Sequence, residues 1–362
     1  MPLLFTHGCE TCDVAADDVL IERLLRVIDE GRRTATYKLA LLLGLIDAAA
    51  SSPGSSSLPT RLVAERVLDL YYPQTRNFVD AGGASLLPRQ ITVKSSPVLR
   101  AVERLRLTTE ARGGRSSADA ARVAPREYSD ALDSVEDTFV RYPIPLLQVV
   151  GSTTIPFLYE VDWSEGTTAA SLRRQGRDQL RLLDGVVDRL VVLGPILRPL
   201  IELHWVRDVA RWSGIATEDE QLRSHLFGRE RAAFPRAFVR DLTDLQDGSC
   251  FYCGDRLGKK VEVDHFLAWS RWPNDAIENL VVADRCNSAK SDHVAATAHL
   301  ARWRLRLETA AGPLRDVAER HRWPTDPTRT WALTQSTYTH LAPGTPLWLH
   351  GREFELADGP WW

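Results

Sequence analysis

The segment from Cys250 to Asp292, CFYCGDRLGKKVEVDHFLAWSRWPNDAIENLVVADRCNSAKSD, places a carboxylate, an imidazole and two amides close together in the chain. Hydrolysing a phosphodiester at neutral pH needs an activated water, a cation on the phosphate and a means of stabilising the leaving oxygen. Asp264, His265 and Asn287 together supply groups for all three. A carboxylate and an amide oxygen form a hard, oxygen-only ligand pair, which suits Mg²⁺ or Mn²⁺ because such ions keep several waters and accept a substrate phosphate. His265 then stays free to act as a base.

These side chains need elements to carry them. Lys260 to Val263 alternates in polarity and predicts a strand that delivers Asp264 and His265 at its end, on opposite faces. A polar loop through Pro273 and Asn274 follows, then a second short strand over Leu280 to Val282, then a helix from about Asp284. Asn287 and Lys290, three apart, share a face in the first turns of that helix, where a phosphate is favoured.

On these residues the segment resembles the HNH nuclease family, and most of all the HNH domain of RNA-guided CRISPR effectors. The shared skeleton is VDH at 263–265, ENL at 278–280 and CNSAK at 286–290. The resemblance implies a ββα-metal fold in which His265 is the general base and Asp264 and Asn287 hold the catalytic cation. It further implies that Asn279 orients the histidine and that Lys290 touches phosphate. Where the family often has proline three residues after the histidine, this chain has Ala268. The implied activity is a metal-dependent endonuclease acting on double-stranded DNA; family habit implies restriction or phage defence, and a homing or mobile-element nuclease is equally compatible with the sequence. One such site cuts one strand, so a double-strand break calls for a homodimer or two nicks. A non-cleaving nucleic-acid-binding protein with a degenerate HNH fold and an RNA-cleaving toxin are the competing readings.

Cysteine usage adds a second possible metal site. Cys250 and Cys253 form a CxxC ahead of the first strand, and Cys286 opens the CNSAK run. This is similar to the zinc-knuckle HNH subgroup, except that the fourth thiolate is replaced by Ala283, and a structural zinc normally takes four ligands. Asp284, a water, or His7, Cys9 and Cys12 would complete a Zn²⁺ site; reduced thiols with a buried Cys286 are the alternative.

Outside this segment the pattern is mainly helical with small β elements, and the length allows several domains. We expect a helical N-terminal domain over 1–112, serving target recognition, and a linker over 113–125 at Gly113, Gly114, Ser116 and Ser117. A mixed α/β connector over 126–235, the nuclease unit over 236–300 and a C-terminal helix and hairpin over 301–362 follow. Helical spacing runs through Val19, Leu20, Leu24, Leu25 and Ile28, then Tyr37 to Ile46 and Arg61 to Tyr72. Leu146–Val150 and Phe157–Trp163 are expected as paired strands, and a helix from Arg177 to about Leu193 is expected to break at Gly194-Pro195.

A net charge of −3 argues against coating nucleic acid by charge alone. The arginine-rich stretch from Leu300 to Arg320 either packs on the nuclease unit or tracks phosphate. Met1 is followed by a short apolar tripeptide and then polar residues, which predicts a cytoplasmic protein without disulfides, and no apolar run is long enough to span a membrane.

Overall fold

A computed structural model of the chain describes residues 10–29, 33–80, 82–93, 96–150, 153–215, 220–227 and 234–361, without the side chains of 10–18 and 150. His7, Cys9 and the side chain of Cys12 therefore lie outside what is described.

The fold is mainly helical with small sheets. Its centre is the Tyr37–Ala50 helix, apolar apart from Lys38 and Asp47 and buried from Leu39 to Ala50, as a helix without a continuous polar face must be. Against it pack the Thr60–Gln74 helix and the Val186–Ser213 helix. The latter runs unbroken through Gly194, Pro195 and Pro199, where the sequence predicted a break. Each proline removes one i→i−4 bond, but Leu190, Val191, Leu197, Ile201 and Trp205 are all buried along this helix, and that burial outweighs the loss. Gly194 is required at its position: a Cβ there would meet Ile46 Cγ2 at 2.8 Å and the Trp272 ring at 3.2 Å. The two central helices are also joined by a buried ion pair between Asp47 and Arg198.

Three further expectations are corrected. Residues 113–125 are not an unstructured linker: they contain the Ser117–Val123 helix, opened by a capping box in which Ser116 Oγ accepts from Asp119 N at 3.1 Å and Asp119 Oδ2 accepts from Ser116 N at 3.1 Å. Ser-x-x-Asp was a helix start rather than a flexible run, and the Pro97–Ala111 and Pro125–Arg141 helices on either side pack on each other. Val149–Val150 pairs with Thr153–Thr154, not with the 157–163 stretch. Tyr159–Glu160 instead joins a three-stranded sheet whose middle strand is Gln179–Leu182 and whose other edge is Ser57–Pro59. The start of the helix expected from Arg177 is thus a strand, fixed by partners distant in sequence. The side chain of Gln148 substitutes for a strand beside it, accepting from Phe157 N and Leu158 N and donating to Tyr159 O at 2.7–2.8 Å.

Tyr71 and Tyr72, near the end of the Thr60–Gln74 helix, are both buried. One continuous set of buried apolar side chains runs from Leu20 to Ala357, and a smaller cluster, centred on Phe238, Ile277, Leu280, Val282 and Leu314, lies beneath the ββα unit. The terminal hairpin forms as expected, Pro346–His350 against Glu353–Leu356. No helix among the described residues is long and apolar enough to cross a membrane.

Candidate functional site

The ββα unit is present where the sequence placed it. The Glu262–His265 strand pairs antiparallel with Leu280–Ala283, with His265 opposite Leu280, and the short Arg285–Lys290 helix follows. The loop between the strands is held firmly. Asn279 Oδ1 accepts from Leu267 N at 2.8 Å, its Nδ2 donates to Asn274 O at 3.0 Å, and its backbone oxygen accepts from Phe266 N at 2.7 Å. Asn279 therefore positions the histidine by fixing the backbone after it; the imidazole itself is held elsewhere. His265 Nε2 donates to Asp275 Oδ1 at 2.9 Å, and the ring lies 5.3 Å from that of Trp269 and 6.3 Å from that of Phe234.

Asp264 points the other way, as alternation requires. Its Oδ2 accepts from Tyr252 Oη at 2.5 Å and pairs with Lys290 Nζ at 3.1 Å. Burial, and then the neighbouring Asp264 carboxylate, push the Tyr252 phenol well above its usual range, so it remains a donor. Lys290 is fully buried and also donates to the His265 carbonyl oxygen at 3.0 Å. Its ammonium, expected at a phosphate, is turned inward and ties the helix to the first strand.

Among the described residues Asn287 makes no hydrogen bond to Asp264. Its Nδ2 donates to Glu262 Oε2 at 2.8 Å, which leaves Oδ1 as its ligand atom. Glu262, two residues before Asp264, shares that carboxylate's face of the strand. Lys260 beside it, and then Asn287, hold the Glu262 carboxyl below its usual range, so it stays ionised. Sequence reasoning missed Glu262, although the alternation that placed Asp264 also places Glu262 beside it. It missed Asp275 as well, for which only the polarity of the loop gave a signal.

The three thiols converge. Sulfur atoms of Cys250, Cys253 and Cys286 and a carboxylate oxygen of Asp284 all lie within 4.8 Å of one another, a group that could hold a metal ion. Asp284 Oδ1 is buried without a hydrogen-bond partner, and an orphaned buried oxygen is costly unless something binds it. Burial and the crowding of neighbouring sulfurs push the Cys286 thiol far up. Such crowding favours a cation that would take the thiolates.

Two of the arginines after the unit pack against it. The expected single stretch is two helices, Thr297–Thr309 and Ala311–His321. Arg302 donates to the carbonyls of Phe251 and Tyr252 and Arg306 to that of Leu280, so both tie the first helix to the backbone of the ββα unit.

A family model described as "Domain of unknown function (DUF8808)" matches residues 18–226. The chain belongs to that family. The DUF8808 match spans the helical region and the expected 113–125 boundary, and ends before the strand that carries Asp264 and His265. No curated protein and no solved structure matches the chain.

Proposed function

We propose that the chain is a metal-dependent endonuclease of the HNH type that hydrolyses DNA phosphodiester bonds at the ββα unit. The observation that carries this reading is the presentation of His265 at the end of its strand, with Nε2 engaged by Asp275, next in the chain to Asp264, whose side of the strand also carries Glu262, the hydrogen-bond partner of Asn287. Asp264, Asn287 and Glu262 offer only oxygen ligands, which fit Mg²⁺ or Mn²⁺. The ion, when bound, would neutralise charge on the scissile phosphate. His265 takes a proton from the attacking water. Cys250, Cys253, Cys286 and Asp284 are assigned a separate, structural Zn²⁺, four ligands being what such a site takes.

The test is incubation of the purified chain with supercoiled plasmid and with RNA, in Mg²⁺ and in chelator. Metal-dependent conversion of plasmid to open circles, reduced about 10²-fold or more in His265→Ala, is expected. Wild-type rates in that variant would refute the assignment, and cleavage of RNA alone would move the substrate.

One observation favours the non-cleaving alternative: Asp264 is already neutralised by buried Lys290 and bonded to Tyr252, which weakens its pull on a cation. Plasmid binding without cleavage in any divalent metal would support that reading.

A further inference from the structure

Resting on the reading of His265 as the base, we propose that Asp275 is the positioning residue that fixes its tautomer, making Nδ1 the nitrogen that receives the proton from water. An ionised carboxylate can only accept hydrogen bonds, so the 2.9 Å contact from His265 Nε2 to Asp275 Oδ1 places the ring proton on Nε2. In a neutral imidazole the lone pair is then on Nδ1, and no hydrogen bond to Nδ1 is present among the described residues.

The rest of the pocket keeps this pairing in place. His265 is only 6% exposed, and Trp269 and Phe234 flank its ring. Asp275 is fixed through its backbone, whose carbonyl accepts from Trp323 Nε1 at 2.8 Å. Its side chain is about a third exposed, at 32%. Asp275 thus lies at the edge of the pocket, where replacement leaves the core intact, while the ring it orients is held inside. In the reaction step a water proton moves to Nδ1, the water oxygen forms the bond to phosphorus, and the bond from phosphorus to the leaving oxygen breaks with its electron pair. The Nε2–H…carboxylate pair stabilises the imidazolium so formed.

The experiment is ¹⁵N spectroscopy of histidine-labelled full chain at a pH where the ring is neutral, with His265→Ala identifying the His265 resonances. Wild type should show a pyridine-type Nδ1 and a pyrrole-type Nε2. In Asp275→Asn the new amide can donate to Nε2, so the pattern should mix or invert. In parallel, plasmid nicking should fall by about 10²-fold or more, with plasmid affinity kept; loss of the orienting carboxylate in a comparable His–Asp pair costs about 10⁴. Asp275→Ala serves as a second variant and should give mixed tautomers. A pyrrole-type Nδ1 in wild type, or an unchanged ring pattern in both variants, would overturn the proposal. If wild type nicks nothing, the nuclease reading fails by itself, and the ring spectra still decide whether Asp275 sets the tautomer.

Discussion

Lys290 Nζ lies 3.0 Å from the carbonyl oxygen of His265, so the last residue of the short helix is fastened to the last residue of the strand that presents the candidate base. The same ammonium is paired with Asp264 and has no exposure to solvent. Lys290 is therefore internal scaffolding in this chain.

Removing that ammonium should be expensive for the fold. Lys290→Met leaves Asp264 buried with only the Tyr252 hydroxyl, and breaking one side of a buried pair costs about 3–5 kcal/mol. We expect a loss of that order in urea unfolding, largely recovered in Lys290→Met combined with Asp264→Asn. A loss below about 1 kcal/mol, accompanied by weaker plasmid binding, would show instead that Lys290 serves the ligand.

The Cys₃Asp group predicts about one zinc per chain by elemental analysis. Strong chelation, or Cys286→Ser, should release the metal and lower thermal stability; Asp284→Asn should weaken binding less, because an amide oxygen still ligates. Metal-free protein with unchanged melting after chelation would leave three reduced thiols and no site.

Legibility of the sequence followed the range of the forces involved. Strand alternation around Asp264 and the ββα order were readable because period, motif and spacing are local; so was the buried, almost wholly apolar helix at Tyr37–Ala50. The Gln179–Leu182 strand was not, since its partners lie at Ser57–Pro59 and Tyr159–Glu160. Nor was the fate of Lys290, because neither Tyr252 nor Asp264 announces in sequence that it will meet that ammonium inside the core. Asp284 stood among several options for a fourth ligand until the turn into the Arg285–Lys290 helix placed it beside the sulfurs.

Gly194 couples the helical region to the ββα unit, because its missing side chain lets Ile46 and Trp272 close on the Val186–Ser213 helix. Trp272 is further held by a 3.1 Å bond from its Nε1 to Thr337 Oγ1. Gly194→Ala should destabilise by about 1–3 kcal/mol through overpacking, despite the better helix propensity of alanine, which alone would stabilise by up to about 1 kcal/mol. A net gain in unfolding free energy would mean that the contact yields more readily than the 2.8 Å approach implies.

Acid should loosen the support of the site through His299. Its Nε2 donates to Leu349 O at 2.7 Å, its ring lies against Trp348 and Tyr252, and its Nδ1 is buried without a partner. Burial lowers its pKa from the ordinary 6.5, and the Leu349 carbonyl opposes this only in part. Protonation would add a second N–H with no acceptor. The unfolded chain therefore binds this proton more readily than the folded one, so the contribution is fully present above 6.5 and is lost as pH falls through the depressed folded value. His299→Leu should be less stable than wild type at neutral pH, by about 1–3 kcal/mol, because the Leu349 carbonyl loses its donor. Its stability should nonetheless fall less between about pH 8 and about pH 5. Urea midpoints at the two pH values for both proteins decide the matter. Equal acid losses would show that His299 does not titrate in this range, and that any acid weakening around Tyr252 and Asp264 has its origin in other groups.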